Sequence, residues 1–191
     1  FPLMMLASVF MMINPQGGSQ DPDETRRTYL RHLKALREKV LEVSAAQRAH
    51  EEHRNPAPAQ VAALVGSYRM WERNADAPDA LEVRVGTGPM SLCVPINVPD
   101  SGATEDLDPV CAVSVRHTVN ALRTLAQMPV VIQIQAFNYL GLSGENAAGV
   151  ARAMVAHLAV AHGPETLGIE VYPQASGQWE WVKWLPHARA V

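Results

Sequence analysis

The chain has 191 residues, of which 48% are hydrophobic and 18% are charged, and its formal net charge is −3. This composition is sufficient for a folded domain with an apolar core, and it excludes a strongly basic or disordered chain. Because a nucleic-acid groove needs clustered Lys and Arg, it also argues against DNA or RNA as the partner. The two cysteines, Cys93 and Cys111, are interpreted as small buried residues of a cytosolic domain and not as a disulfide.

The chain opens with an uncharged apolar run, FPLMMLASVFMMI, from Phe1 to Ile13. The run is shorter than the about 20 residues that span a bilayer, so it is interpreted as the end of a transmembrane helix. A buried core helix and the core of a signal peptide are the alternatives. A basic cluster follows, at Arg26, Arg27, Arg31 and Lys34. By the positive-inside rule, we expect the protein to lie in the cell inner membrane with everything after about Asn14 on the cytoplasmic side.

Residues 14–55 are predicted to form a linker and a long stalk helix. Asp21 is a predicted N-cap, Pro22 suits the first helical position, and Glu24 completes a capping box. Apolar side chains then recur at heptad spacing, at Tyr29, Leu33, Leu36, Val40 and Val43. A helix from Asp21 to about His53 would be roughly 45 Å long, which suits a stalk. An ordinary helix folded onto its own domain is the alternative.

Residues 56–191 are predicted to form an α/β domain. Its first half suggests a β-hairpin, with strands Leu81–Val85 and Ser91–Ile96 around a turn at Gly86–Pro89. A helix is predicted from Pro109 to about Ala126. This half contains no sequence motif for catalysis.

The second half predicts a strand, a helix and a second strand, at Val130–Phe137, Ala147–His162 and Thr166–Tyr172. A connection of this kind is nearly always right-handed, and it belongs to a parallel sheet. We therefore expect one βαβ unit here.

The turn before the predicted helix has the outline of a phosphate-binding loop. Gly144 and Gly149 have G-x-x-x-x-G spacing, but Val150 and Ala151 replace the Lys and the Ser or Thr that bind phosphate and Mg²⁺. Pro173 also stands where a Mg²⁺-binding Asp would end the next strand. The sequence thus predicts an incomplete P-loop NTPase-like domain, with a chance turn before a helix as the alternative. The candidate nucleotide-binding residues are Gly144, Glu145, Asn146, Gly149 and Arg152, and no catalytic or metal-binding residue is predicted.

Three of the four tryptophans lie within the string WEWVKWLPH that begins at Trp179. At strand spacing Trp179 and Trp181 share a face, whereas in a helix Trp181 and Trp184 do. An aromatic plug over one end of the sheet is the favoured interpretation. A base-stacking platform is the alternative, and it lacks an accompanying basic stripe.

Five runs of the sequence carry a family resemblance. They are RRTYLRHLKALREKV, SYRMWERNADAPDALEVRVGTGP, EDLDPVCAVSVRH, GVARAMVAHLAVAHGPETL and WEWVKWLPH. In order and spacing they resemble EccC, the membrane-anchored FtsK/SpoIIIE-type ATPase of the type VII (ESX) secretion system. The resemblance implies the end of the second transmembrane helix, the stalk, and the first part of a degenerate FtsK-type domain of unknown function. The family's ATPase modules would lie outside this chain.

The resemblance also implies residue roles. The matching blocks contain a set of structural or interface residues, which are Trp71, Arg84, Asp108, Arg116, Trp179, Trp181, Lys183, Trp184 and His187. The block arginines, among them Arg69 and Arg73, are interpreted as ion-pairing with Asp76, Asp79 or Glu82, and an interface with a neighbouring domain or protomer is the alternative.

The function implied by the resemblance is coupling of the membrane complex to downstream ATPase domains during protein export. The implied partners are membrane components of the EccB, EccD and EccE type, the ATPase domains of the same protein, the membrane and, indirectly, secreted substrates, in an oligomer without nucleic acid. No cofactor is expected in this fragment, with ATP and Mg²⁺ as candidates only. An active or nucleotide-sensing NTPase domain is the first alternative, and a DNA translocase fragment is the second.

Overall fold

The computed structural model of the chain describes residues 22–96, 109–172 and 177–189. In order, the helices and strands are α1 (Pro22–Arg54), α2 (Pro58–Val61), a 3₁₀ helix (Ala62–Leu64), β1 (Glu82–Ser91), α3 (Pro109–Leu122), β2 (Thr124–Gln133), a 3₁₀ helix (Ile134–Ala136), α4 (Ala147–Ala161) and a 3₁₀ helix (Gly177–Trp184). This mixture of helix and strand agrees with the predicted α/β class. The apolar run Phe1–Ile13 and Asp108 lie outside the described residues. In the ranges that are described, no helix combines the length and the apolarity that crossing a bilayer requires.

The chain divides into two compact units, each built from two segments. Unit 1 contains Phe1–His50 and Pro89–Gln127, and unit 2 contains Glu51–Gly88 and Met128–Val191. The chain therefore passes from one unit to the other within α1, within β1 and within β2.

The core of unit 1 forms between α1, α3 and the segment that follows β1. Its buried members are Val40, Ile96 and Val119, and the partly buried side chains packed against them are Leu36, Leu92, Val115 and Leu122. Leu36 and Val40 belong to the heptad-spaced seam, so this part of α1 packs onto its own unit. The predicted extent of the long helix is confirmed. Along this stretch, however, the apolar seam of the helix packs against other parts of unit 1. This agrees with the alternative interpretation, an ordinary helix folded onto its own domain.

Polar contacts support the same packing of α1. Gln47 donates from Nε2 to the carbonyl oxygen of Ser91 at 3.1 Å, and its Oε1 accepts from the backbone N–H of Cys93 at 2.8 Å. Cys93 itself is a free thiol and exposed, which corrects the expectation that it is buried. The side chain of Cys111 lies outside the described residues.

The predicted hairpin around Gly86–Pro89 is wrong, because β1 runs through these residues as one strand. Its partner is β2. At one end Leu92 N donates to Arg123 O at 2.9 Å, and at the other Ile134 N donates to Leu81 O at 3.1 Å, so the pair is antiparallel. A Cβ on Gly88 would lie 2.8 Å from Val130 Cγ2. Gly88 therefore permits close approach of β2 where local sequence favours a turn.

The bounds of β2 and of the helix before it also differ from the prediction. Helix α3 ends at Leu122 and not near Ala126, because the chain from Thr124 onward belongs to β2. Strand β2 ends at Gln133, earlier than the predicted Phe137, and a 3₁₀ turn follows. The prediction for α4 is confirmed to within one residue at its C-terminal end.

The second strand of the predicted βαβ unit is absent from the structure. Residues 166–172 contain one isolated parallel bridge, between Ile169 and Ala188. At Gly168 the side chain of Arg189 occupies the space where a Cβ would lie, so the tail of the chain packs closely against this segment. Among the described residues, the sheet is a two-stranded antiparallel pair in place of the predicted parallel one.

The core of unit 2 forms between α4 and the unit 2 parts of the strands. Val83, Met154 and Leu158 are its buried members. Packed against them are Leu81, Val85, Ile132, Ile134, Val150 and Leu167. Burial of these side chains holds α4 on the strands and places the polar groups at its C-terminal end inside the unit.

Candidate functional site

The predicted phosphate-binding turn lies in an exposed part of unit 2. Residues 134–146 separate the end of β2 from the start of α4, and Gly144 has a φ of +117°, which favours glycine. Gly144, Glu145 and Asn146 are exposed, and Asn146 is the N-cap of α4 without a side-chain capping bond. Gly149 lies within the first turn of α4. The role of these residues in nucleotide binding stays a prediction.

Arg152, the fifth candidate of that set, has a partner elsewhere in unit 2. Its Nη1 donates to Oε1 of Gln178 at 2.5 Å. Gln178 belongs to the 3₁₀ helix that contains the tryptophans. This contact thus joins α4 to the 3₁₀ helix that contains the tryptophans.

The three tryptophans of the string lie in one 3₁₀ helix, and their rings have two environments. Trp179 and Trp181 are partly buried and stacked, with ring centroids 6.4 Å apart and planes at 20°. Trp184 is 81% exposed, and the Nζ of Lys183 lies 5.6 Å from its ring centroid. Trp184 therefore does not belong to an aromatic plug.

Arg73 is a buried, multiply bonded polar group of unit 2, and it is only 4% exposed. Its Nη1 donates to Glu82 O at 2.8 Å, and its Nη2 donates to Arg54 O at 2.5 Å. Its Nε also lies 3.2 Å from Oδ2 of Asp79. Burial lowers the pKa of Arg73, and the neighbouring carboxylates of Asp79 and Glu82 oppose this change. The interpretation of Arg73 as a structural ion-pairing residue is confirmed.

Asn55 and Glu82 extend this network. Asn55 is fully buried, and it donates from Nδ2 to Oε1 of Glu82 at 2.7 Å. The other carboxylate oxygen of Glu82 accepts from Nη2 of Arg54, also at 2.7 Å. Arg84 Nη1 donates to Asn55 O at 3.0 Å. The C-terminal end of α1, the following residue and the start of β1 are therefore held by one set of charge-assisted bonds.

Arg69 and Arg116 are two further arginines of the matching blocks. Arg69 pairs with Glu72 at 2.6 Å and not with the carboxylates expected for it. Arg116 is exposed on α3.

His162 is fully buried beside this network, and both its ring nitrogens are bonded. The backbone N–H of Leu81 donates to Nε2 at 2.9 Å, and Nδ1 lies 3.1 Å from the carbonyl oxygen of Leu158. Nε2 must therefore be the unprotonated acceptor, and Nδ1 must carry the proton. Burial lowers the pKa of His162, in agreement with a neutral ring.

His187 and Trp71, two residues from distant blocks of the resemblance, meet in the same unit. The Nε2–H of His187 donates to His162 O at 2.8 Å. The rings of His187 and Trp71 are 6.3 Å apart in an edge-to-face arrangement. Trp71 Nε1 donates to Ala159 O at 3.2 Å. These contacts join the segment at Trp71, the end of α4 and the tail of the chain.

His157 is a third buried histidine, 4% exposed, on α4. Its pKa is lowered to about 4, first by burial and then by the positive charge of Arg73 and the neighbouring His162. Neither His157 nor His162 was predicted from the sequence as a functional or structural site residue. Both lie within the largely apolar run Ala147–His162 that predicted the helix, and this placement was the available signal, since a histidine on a buried face needs internal partners.

The chemistry of the network is structural. The carboxylates of Asp79 and Glu82 are bonded to arginines, and the ring of His162 is fixed in one tautomer. Within the described ranges, no group of three or more His, Cys, Asp or Glu side chains is arranged to hold a metal ion. Such an arrangement fixes the positions of chain segments within unit 2.

Comparison with known proteins finds that the chain is similar to proteins named as components of ESX secretion systems. It is 34% identical over 194 residues to the ESX secretion system protein EccC of Thermomonospora curvata, and the match covers 98% of this chain. It is also 34% identical to the ESX-4 secretion system protein EccC4 and 33% identical to the ESX-5 secretion system protein EccC5 of Mycobacterium tuberculosis, again over 98% of its length. No protein-family model matches the chain.

The chain belongs to the EccC family, as its sequence resemblance indicated. It spans about 15% of the length of the EccC proteins it matches.

Proposed function

We propose that this chain is the stalk and the degenerate nucleotide-binding-fold part of an EccC secretion motor. In this role it couples the membrane complex to downstream ATPase domains during protein export. The observation that carries the proposal is the similarity to EccC proteins over 98% of the chain. Its partners would be the EccB, EccD and EccE type membrane components, the ATPase domains of the same protein and, indirectly, the secreted substrates, in an oligomer.

The continuity of α1 supports the coupling role. The helix has 33 residues, which corresponds to about 50 Å at 1.5 Å per residue. At its C-terminal end, Arg54 bonds to Glu82 and accepts a bond from Arg73. A displacement at the start of α1, next to the proposed membrane anchor, would therefore reach a network that resists deformation.

The coupling role is tested by breaking α1 in the full-length protein. Leu41 lies near the middle of the helix and is 61% exposed, so Leu41→Ala removes little packing. Leu41→Pro removes a helical hydrogen bond and kinks the helix. We expect Leu41→Pro to abolish secretion while the ATPase domains still hydrolyse ATP, and Leu41→Ala to secrete normally. Normal secretion by a stably expressed Leu41→Pro protein would refute coupling through α1.

The proposed lack of hydrolysis rests on Val150 and Ala151, which replace the phosphate- and Mg²⁺-binding residues of a working loop. The test is release of inorganic phosphate from Mg-ATP by this chain, together with a calorimetric titration of binding. We expect no turnover. Turnover by this chain would refute the proposal, whereas tight binding without turnover would identify a nucleotide sensor.

A further inference from the structure

Residues 26–39 of α1 carry a concentrated positive charge. Six of the chain's 16 Lys and Arg residues lie here, and they are Arg26, Arg27, Arg31, Lys34, Arg37 and Lys39. Glu38 is the one acidic residue of the segment, so its net charge is +5, six positive charges less one negative, in a chain whose total is −3. An imbalance of this size within one 14-residue segment of a helix indicates an anionic partner.

Three of these cations share a face of α1 with an exposed leucine. At about 100° per residue, Arg27, Arg31 and Lys34 fall within roughly 60° of one another, and Leu30 lies beside them. All three basic side chains are exposed, and Leu30 is 57% exposed. Leu33, by contrast, lies about 100° or more from the three cations and is buried. We call Arg27, Leu30, Arg31 and Lys34 the basic face.

We propose that the basic face binds the anionic phosphate headgroups of a membrane surface. Cations flanking an exposed apolar side chain fit this partner, because the guanidinium and ammonium groups pair with lipid phosphates while the leucine enters the acyl boundary. The phosphates of a nucleic acid would use the charges and leave Leu30 without an apolar partner. The observations therefore favour a lipid surface over DNA or RNA.

The position of the face in the sequence supports the same partner. Arg27 lies 14 residues after Ile13, the last residue of the apolar run. This separation is within the range over which a juxtamembrane basic segment meets lipid headgroups. The proposal rests on the membrane setting proposed above. The experiment is designed so that lipid binding by the basic face and membrane anchoring by the apolar run can fail separately.

The test is flotation of the full chain with vesicles of phosphatidylcholine alone and with vesicles that also contain phosphatidylglycerol. The variant Arg27→Gln/Arg31→Gln removes two charges from the basic face. The matched control Lys39→Gln/Arg189→Gln also removes two charges from exposed positions. Lys39 lies about 80° from Arg31 and about 120° from Arg27 around α1, and Arg189 lies in unit 2. Circular dichroism establishes that both variants are as folded as the parent.

We expect the parent to bind the phosphatidylglycerol vesicles with an affinity that falls as salt is added. Since each basic side chain near an anionic surface strengthens binding about fivefold, the basic-face variant should bind about 25-fold more weakly. The control should stay within about twofold of the parent because its charges lie off the face.

Three results would overturn the proposal. Equal binding of parent and basic-face variant to both kinds of vesicle would assign the affinity to the apolar run, which would leave the proposed anchor standing. Equal weakening by the control variant would assign it to net charge alone. Tighter binding of the parent to duplex DNA than to phosphatidylglycerol vesicles would assign the basic face to nucleic acid.

Discussion

The buried histidine His157 makes the stability of unit 2 depend on pH. Its pKa is lowered to about 4 from an ordinary value of 6.5, so between these pH values the unfolded chain binds more protons than the folded one. The stabilisation is complete above about pH 6.5 and is lost as the pH falls towards 4. Protonation is opposed by burial and by positive charge on Arg73, Arg84 and Arg69, together with His162.

The size of the effect follows from this lowered pKa. For a single group with these two pKa values, the free energy of unfolding falls by about 2 kcal/mol between pH 7 and pH 5. His162 contributes a loss of the same sign, because burial also lowers its pKa and protonation of Nε2 would remove the acceptor for Leu81 N–H. A loss of this size is a large share of the stability of a small domain.

The assay is urea unfolding of the parent and of His157→Gln at pH values from 7 down to 5, followed by circular dichroism. The substitution can change the absolute stability, so the quantity compared is the change in unfolding free energy with pH. We expect this change to be smaller by about 2 kcal/mol in His157→Gln. His50→Gln, at an exposed histidine, controls for the loss of a histidine. An identical pH dependence in the parent and in His157→Gln would refute the reasoning.

Three further predictions concern stability, each measured by urea unfolding at neutral pH. Arg73→Leu should cost about 3–5 kcal/mol, because it removes a buried cation that pairs with the partly buried carboxylate of Asp79 and donates to the backbone oxygens of Arg54 and Glu82, and a cost below about 1 kcal/mol would contradict the network. Gly149→Ala should add about 0.5–1 kcal/mol within α4, whereas Gly144→Ala should cost about 1–2 kcal/mol because of its positive φ, and equal effects would contradict the backbone geometry. Val40→Ala should cost about 2 kcal/mol and the exposed neighbour Leu41→Ala under about 0.5 kcal/mol, and the reverse order would show that α1 does not pack as described.

The helices could be predicted from the sequence because their signals are local. Pro22 at the first helical position sets the start of α1, and Pro56 and Pro58 stop it close to its observed end at Arg54. Helix α4 follows a glycine turn and precedes Gly163, and it was found to within one residue.

The strands were predicted less well because their pairing is set at a distance. Gly86–Pro89 has the local chemistry of a turn, yet Gly88 serves the approach of Val130, a residue 42 positions later. The segment at Thr166 has strand-forming side chains, but among the described residues it finds only the single bridge at Ile169. Local propensity carries no information about such partners.

The polar network was foreseen only in part for the same reason. The pairing of Arg73 with a carboxylate followed from their nearness in the sequence. The state of His162, in contrast, depends on Leu81 N–H, which lies 81 residues away in the chain. No spacing rule connects these two groups, and the tautomer could be assigned only from their distance.

The bonds made by Arg73 have a consequence for how this region tolerates sequence change. Two of them end on the backbone oxygens of Arg54 and Glu82, which are present whatever side chain those positions carry. Homologous chains can therefore exchange the residue at position 54 and keep these two hydrogen bonds, as long as the guanidinium at position 73 remains. Sequence divergence at position 54 is thus compatible with this contact, whereas divergence at position 73 is restricted.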